Sequence, residues 1–518
     1  MYFPSLLFLF SLFSLFTLSL CQTSPKGILI DCGATTRSEI EGRVWLPDAG
    51  FVSSGTPKNL STAVSVSTLS TVRSFPLQNN LHRKHCYVVQ VYRGARYMVR
   101  TTYFYGGVNG PEYPSPPVFD QIVDGTLWSV VNTTEDYANQ MYSYYEGVFS
   151  AQGKTMSVCI GSNTYTESDP FISALEFVIL GDSLYNTTDF NNFGLSLVAR
   201  HSFGYSGPVI RYPDDQFDRF WEPFGESNST KASNSNVSIS GFWNLPPSKI
   251  FETQLSANKL EPLVLRWPAP SLPNSTYYIA LYFADNPESS REHSRIFNIS
   301  VNGLTYYHNL LPTSAGVVIF ATQWPLAGPT TITLTPAVNS SIGPLINAGE
   351  VYDVLSLGGR TLTRDVIALE RVKESLQSIP VDWNGDPCLP RQYSWTGITC
   401  SGGPRIRVVT LNLTSMDLSG SLSPYIANMT ALTDIWLANN NLSGPIPDLS
   451  SLKMLKTLHL EDNHFNGEIP SSLGNISSLN EVLLQNNNLT GQIPTNLIGK
   501  PGLDLRTSGN NFLSPSTP

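Results

Sequence analysis

Four leucines, Leu413, Leu437, Leu460 and Leu484, return at spacings of 24, 23 and 24 residues, and each leads into an L/F-x-G-x-L/I segment: DLSGSLSP, NLSGPIPD, HFNGEIPS and NLTGQIPT. A period of this length marks a stacked array, because one short unit cannot bury its own apolar face and must use its neighbour's. The stretch 405–512 therefore reads as about four repeats, with GLDLRTSGNNFLSPSTP as a degenerate fifth that caps the C-terminal end. Asn440, Asn463 and Asn487 recur where a side-chain amide can bond the backbone of adjacent turns. Met416 stands at that place in the first repeat, which loses the rung.

A stack also predicts a surface. In each short strand the leucines point inward and the residue between them points outward. This gives the column Asn412, Trp436, His459 and Leu483, flanked by Asp434, Thr457 and Glu481 on one side and Ala438, Glu461 and Gln485 on the other. A Trp and a Leu side by side are unusual on a bare solvent face, so Asp434, Trp436, His459, Glu461, Leu483 and Gln485 form a candidate protein-contact strip. The alternative is that Trp436 covers a loop or the adjoining domain. A glycan on Asn412 would limit the strip at its first rung.

Directly before the repeats, VDWNGDPCLPRQYSWTGITC (381–400) holds Cys388 and Cys400 twelve residues apart among Trp383, Pro387, Pro390 and Trp395. A disulfide between them would close a short aromatic loop over the first repeat's core, giving an N-terminal cap over 381–402. The pattern W-x-G-D-P-C, then W-x-G-I-x-C, resembles the cysteine cap before plant leucine-rich repeats. Its G-D-P-C form resembles the junction in receptor kinases that carry a malectin-like domain ahead of such repeats. Upstream, in TLTRDVIALERVKESLQSI, Val366, Leu369, Val372, Leu376 and Ile379 recur every three or four residues, with Thr363 placed to cap and Asp365 in the first turn. This predicts one amphipathic connector helix over 361–380, packed on the last sandwich or on the cap.

Residues 27–182 hold short runs rich in Val, Ile, Tyr, Phe and Thr, such as ILIDCG, HCYVVQVY, RYMVRTTYFYG and FISALEFVIL; 195–357 repeat the theme with LSLVARHSF, TYYIALYFAD and RIFNISVNG. Long helical periodicity is absent, so the expected class is β-sandwich. IDCG, RYMVRTTYFYGG, PPVFD, DPFISALE, RYPDDQFDRFWEPF, YYIALYFAD and PLINAGEVYDV resemble, in order, the signature segments of plant malectin-like domains. That resemblance implies two tandem malectin-type β-sandwiches, followed here by the short helix, the disulfide cap and a plant-type leucine-rich-repeat solenoid.

The first 21 residues, MYFPSLLFLFSLFSLFTLSLC, read as a secretory signal with Ser19 and Cys21 at the cleavage site; an uncleaved signal anchor is the alternative. No other run approaches the ~18 to 20 apolar residues of a membrane helix, so the expected location is secreted, in the apoplast or cell wall, with no membrane span once the signal is removed. N-x-S/T acceptors at Asn59, Asn132, Asn186, Asn228, Asn236, Asn274, Asn298, Asn339, Asn412, Asn428, Asn441, Asn475 and Asn488 fit an exported glycoprotein. Beyond the signal, Cys32, Cys86 and Cys159 accompany the cap pair, with no metal or redox spacing. Cys86 and Cys159, each in a strand-like run, are the favoured pair, and the sequence leaves that pairing open. The net charge of −9 is spread evenly, −3 in each part on splitting at 182 and 360, which disfavours a nucleic-acid partner.

No hydrolase, nucleotide-binding or kinase motif occurs, no cofactor or metal is implied, and the chain reads as non-enzymatic. The acids Asp214, Asp215 and Asp218 in RYPDDQFDRFWEPF could in principle serve a glycosidase, but they read as turn caps or partners of Arg211 and Arg219. The malectin resemblance implies carbohydrate recognition, for which Tyr103, Tyr105, Asp120, Trp128 and Tyr144 are the candidates, near Asp124. Their alternative reading is core and cross-strand packing. The aromatic pair that binds diglucose in the animal malectin family has no counterpart: GGVNG stands at 106–110 and NPESS at 286–290. The chain stops at Pro518 directly after the repeats and looks like a free ectodomain. The leading expectation is a secreted binding glycoprotein of the plant cell surface or wall that recognises a receptor-kinase ectodomain or a peptide. The alternative is a lectin that binds cell-wall glycan through its sandwiches.

Overall fold

The computed structural model describes residues 27–514 apart from 61–66, 78–82, 226–229, 233–236, 238–240, 258 and 286–293. The signal segment, Asn228, Asn236 and the NPESS stretch lie outside the described residues.

Residues 27–356 are built on one long sheet that runs through both predicted halves. Its strands lie in the order Ser38–Ile40, Arg43–Pro47, Gly27–Asp31, Ala174–Ile179, Arg96–Tyr103, Ser143–Ser150, Phe193–Phe203, Ala348–Ser356, Leu272–Phe283 and Val317–Gly328, with Glu222–Phe224 as a side branch. The halves meet where Gly147 pairs with Ser196 and Val148 with Leu195. A four-stranded sheet (Lys84–Gln90, Thr155–Gly161, Phe119–Val123, Thr126–Val131) faces the first half, and a second (Leu263–Arg266, Thr331–Pro336, Phe297–Val301, Leu304–Leu310) faces the other half. Apolar clusters fill both gaps, one around Tyr87, Val99 and Phe119, the other around Trp267, Ile279 and Phe297. A third, around Trp45, Trp221, Tyr278 and Tyr352, spans the opposite face of the long sheet. The long sheet is thus covered on both faces, which strips strand alternation of its inside–outside meaning.

A buried ionic network crosses this sheet. Arg100 lies 2.7 Å from Glu146, 3.3 Å from Glu176 and 3.2 Å from Asp218, while Arg200 joins Glu146 at 2.7 Å and Glu350 at 3.1 Å. Burial opposes the charge on Asp218, yet Arg100, Arg211 and Arg43 together hold its carboxyl below the usual range. Arg219 takes Asp215 at 2.9 Å and Lys249 takes Asp214 at 2.8 Å. All three acids of RYPDDQFDRFWEPF are therefore held by cations, and Asp215 and Asp218 are shut away from any substrate.

Residues 376–514 carry two ladders side by side. One runs Ile398–Cys400, Val408–Asn412, Asp434–Trp436, Thr457–His459, Glu481–Leu483, Asp504–Arg506; the other runs Leu376–Gln377, Ser419–Ser421, Asn441–Pro445, His464–Glu468, Asn488–Gln492, Phe512–Ser514. Beyond the first pair in each, all pairings are parallel. The repeat leucines fill one continuous core between the ladders. Asn463 shows how the amides close it: Oδ1 accepts from Leu442 N, and Nδ2 donates to the carbonyls of Leu437, Leu460 and Glu461. Asn440, Asn487 and Asn510 repeat the arrangement, and Asn440 serves the backbone at Met416.

The connector is an α-helix over Thr363–Ser375, shorter than expected, after which Leu376–Gln377 joins a ladder. Its N-cap is Leu362 without a side-chain bond, so Thr363 lies inside the helix and is not the cap. Asp365 is turned to the repeats, where Arg407 and Val408 N bind it. Ala368, Leu369 and Val372 enter the repeat core.

Disulfides join Cys86 to Cys159 and Cys388 to Cys400, while Cys32 is a buried thiol. The cap rests on the first of these. A Cβ on Gly385, at φ 66°, would lie 2.8 Å from Cys86 Sγ, so only glycine fits both the backbone and the gap. Lys84 donates to the carbonyls of Asp386 and Leu389, and burial pulls its pKa down to about 8. Tyr393 donates to Asp120 Oδ2 at 2.7 Å and to Ser162 O at 3.0 Å. Trp383 and Trp395 stack at 5.1 Å inside the cap.

Candidate functional site

The contact strip forms because four successive parallel strands pair in register: Asn412 with Trp436, Trp436 with His459, and His459 with Leu483. The ladder adds a fifth member, Arg506 beside Leu483. The sequence analysis missed it because the last repeat is degenerate. Trp436 is half-buried; its Nε1 donates to Thr457 Oγ1 at 2.7 Å, and its ring stacks on His459 at 5.8 Å. Asp434 is consumed by its own neighbours, accepting from Thr433, Thr410 and Thr457. It shapes the floor and offers little to a partner. Leu483, only 8% exposed, is likewise more floor than contact. His459, Glu461 and Gln485 are half-buried. His459 Nε2 lies 3.1 Å from Glu481 Oε2 without hydrogen-bond alignment, and Glu461 Oε2 and Gln485 Oε1 carry no hydrogen bond to described residues. The strip thus offers an aromatic edge among half-buried polar side chains, an arrangement suited to protein recognition.

The sugar candidates are not brought together. Tyr103, Tyr105 and Trp128 are 0%, 1% and 4% exposed, packed inside the first layer pair, and present no ring face to solvent. Their polar atoms are spent on Gln121, Tyr113 O and Ser196. Tyr144 lies among residues on the other side of the sheet, bonded to Glu222 at 2.7 Å and packed edge-on to Phe220. Asp120 is the acceptor for Tyr393 of the cap. The expected aromatic platform of Tyr103, Tyr105, Asp120, Trp128 and Tyr144 is thus corrected: Tyr103, Tyr105 and Trp128 pack in the core between the layers, Asp120 serves the joint, and Tyr144 meets Glu222 and Phe220 on the far face of the long sheet.

Asp124, singled out only as a neighbour of those residues, does line an open cleft of about 300 Å³ with Gln152, Asn191, Arg360, Phe149 and Pro404 among its walls. Arg360 pairs with Asp124 at 2.6 Å. Burial pushes the Asp124 carboxyl up, against the pull of Arg360. The other wall residues come from segments distant in sequence, so no local pattern announced them.

Of the described glycan acceptors, Asn59, Asn132, Asn186, Asn274, Asn339, Asn428, Asn441, Asn475 and Asn488 are exposed, and Asn298 and Asn412 are half-buried. Among the described residues no helix is long and apolar enough to cross a membrane, and no cluster of metal-ligating side chains occurs.

The malectin-like domain family matches residues 30–354, and the leucine-rich repeat family matches 454–476. A leucine-rich repeat receptor-like serine/threonine-protein kinase of Arabidopsis thaliana is 30% identical over 443 residues, covering 82% of this chain and 49% of the relative. A probable LRR receptor-like serine/threonine-protein kinase of the same plant is 30% identical over 457 residues, covering 83% and 48%. The chain spans about half the length of the curated relatives it matches. Among solved structures, the ANX1 ectodomain from Arabidopsis thaliana aligns with TM-score 0.52 at 18% identity, covering 63% of this chain and 96% of its own. A plant structure of the peptide RALF23 in complex with FER and LLG2 aligns with TM-score 0.52 at 18% identity, covering 64% and 96%. At those identities the structural likeness concerns the fold, and the family match extends over more than half of the sequence. The chain belongs to the malectin-like domain family and is homologous to leucine-rich-repeat receptor-like kinases.

Proposed function

We propose that the chain is a secreted, non-enzymatic binding glycoprotein of the plant cell surface or wall that recognises a receptor ectodomain or peptide along the Trp436–His459–Leu483 ladder. The observation that carries this reading is the register itself, which gathers Trp436, His459, Glu461 and Gln485 on one face while the sugar candidates Tyr103, Tyr105, Asp120 and Trp128 are buried. The disulfides, the signal-like start and the exposed glycan acceptors support export. The RALF23 complex with FER and LLG2 lends support from a distant relative of the same fold. In this reading 27–182 and 195–357 act as two modules, 361–380 as connector, 381–402 as cap and 405–512 as the recognition array.

The test is capture of receptor ectodomains and peptides on the immobilised glycoprotein beside His459→Ala and Glu461→Arg variants with unchanged circular dichroism. Saturable capture lost in both variants is expected; capture indifferent to both defeats the reading. The cleft at Asp124 favours the second reading, a glycan-binding lectin. Under it, a glycan array gives a signal that Gln152→Ala lowers and the strip variants leave intact.

A further inference from the structure

Trp436 poses a question that the ladder answers on one side only. His459 covers one neighbour position, and Asn412 occupies the other, in direct register. Asn412 begins the sequon Asn412-Leu413-Thr414. Its Oδ1 accepts from Thr414 N at 3.2 Å, an Asx turn that fixes the amide and leaves Nδ2, the atom a glycan would substitute, without a bond to described residues. Thr414 is exposed. Of the described sequons, this one alone lies on the ladder that carries the strip; Asn428 and Asn475 sit on short helical turns, and Asn441 and Asn488 on the other ladder.

We infer that an N-linked glycan on Asn412 seats its first sugar against the Asn412-facing side of Trp436 and closes the first rung of the strip. The chemistry is that of a pyranose on an aromatic face: the apolar C–H side of the sugar covers the indole, and its hydroxyls stay in water. Adjacent rungs lie roughly 5 Å apart, which places the root of the glycan beside the ring with no change in the backbone. Trp436 then serves the glycan on one side and the His459 stack on the other, so a protein partner approaches from His459 toward Arg506. The inference concerns a modification and stands apart from the binding reading, since the glycan can seat whether or not a partner exists.

The secreted glycoprotein is treated with peptide-N-glycosidase in heavy water and mapped by mass spectrometry to give occupancy at Asn412. Hydroxyl-radical footprinting then reads oxidation of Trp436 in the intact protein, in Thr414→Ala, which keeps the Asx-turn amide, and in protein trimmed by an endoglycosidase to the first sugar. The expected result is an occupied Asn412, Trp436 oxidation that rises several-fold in Thr414→Ala, and protection retained in the trimmed form. An unoccupied Asn412 overturns the inference. So does occupancy with equal oxidation in all three forms. Should Thr414→Ala fail to secrete, the intact and fully deglycosylated proteins supply the same comparison.

Discussion

Residues 27–356 and residues 405–512 bury polar side chains by opposite means. In the β-layered region the buried groups are charged and paired over long sequence distances: Arg100 reaches Glu146, Glu176 and Asp218, and Arg200 ties Glu146 to Glu350 across the two halves. In the repeats they are neutral amides, each bonded to backbone within one or two turns. A charge taken from water is costly unless every partner is present, whereas an amide rung costs little beyond its own turn. The first region should therefore fail as a unit, and the second rung by rung.

The largest expected effect is Arg100→Leu, which leaves Glu146 and Glu176 short of a partner and should destabilise the β-layered region by about 3–5 kcal/mol. Chemical denaturation, or loss of secretion, reads it out. A stable, secreted variant would break the contrast.

Next comes acid. Burial pulls His85 down to about 4, below its ordinary 6.5. The unfolded chain takes up that proton first, so stability is intact above pH 6.5 and is lost as pH falls through 6.5 toward 4, on the order of 2–3 kcal/mol. Asp31, raised by burial to about 6, works the other way: its contribution is present below its unfolded value and lost as pH rises through about 6. The difference between wild type and His85→Gln isolates the histidine; that difference should be constant above pH 6.5 and shift against wild type as pH falls from 6.5 toward 4. A pH-independent difference would contradict the assignment.

Asn463→Ala should cost about 1–3 kcal/mol by stranding Leu442 N and three carbonyls. Hydrogen exchange should rise around 437–466 and stay unchanged in 27–356; a rise in both regions would show that they are coupled more tightly than the contrast allows. The smallest effect is Gly385→Ala, about 1–2 kcal/mol from a positive φ and crowding against the Cys86–Cys159 disulfide. It should split the unfolding of the two regions into separate transitions without altering either one's fold.

The same contrast explains what could be read in the sequence. A repeat of 23–24 residues carries its own register, so the Asn rungs and the column through Trp436 and His459 follow from spacing alone. The β region offers no such clock. Alternation tells Tyr103 from Tyr144, but with protein on both faces neither parity means solvent, so the sequence leaves the sugar-site and core-packing readings side by side. The pairs of Arg211 with Asp218 and Arg219 with Asp215 are local and follow from the segment itself, whereas the long-range pairs escaped because their members lie up to 175 residues apart, as in Arg43 with Asp218. Tyr393 escaped because nothing in the cap motif says that Asp120 waits opposite.

The most direct test of recognition by the repeats is hydrogen exchange of the glycoprotein with and without a captured receptor ectodomain or peptide. Protection confined to 457–485, with residues 120–152 unchanged, is the predicted result. Protection around Asp124 and Gln152, with the strip unaltered, would place recognition in the cleft and contradict the account.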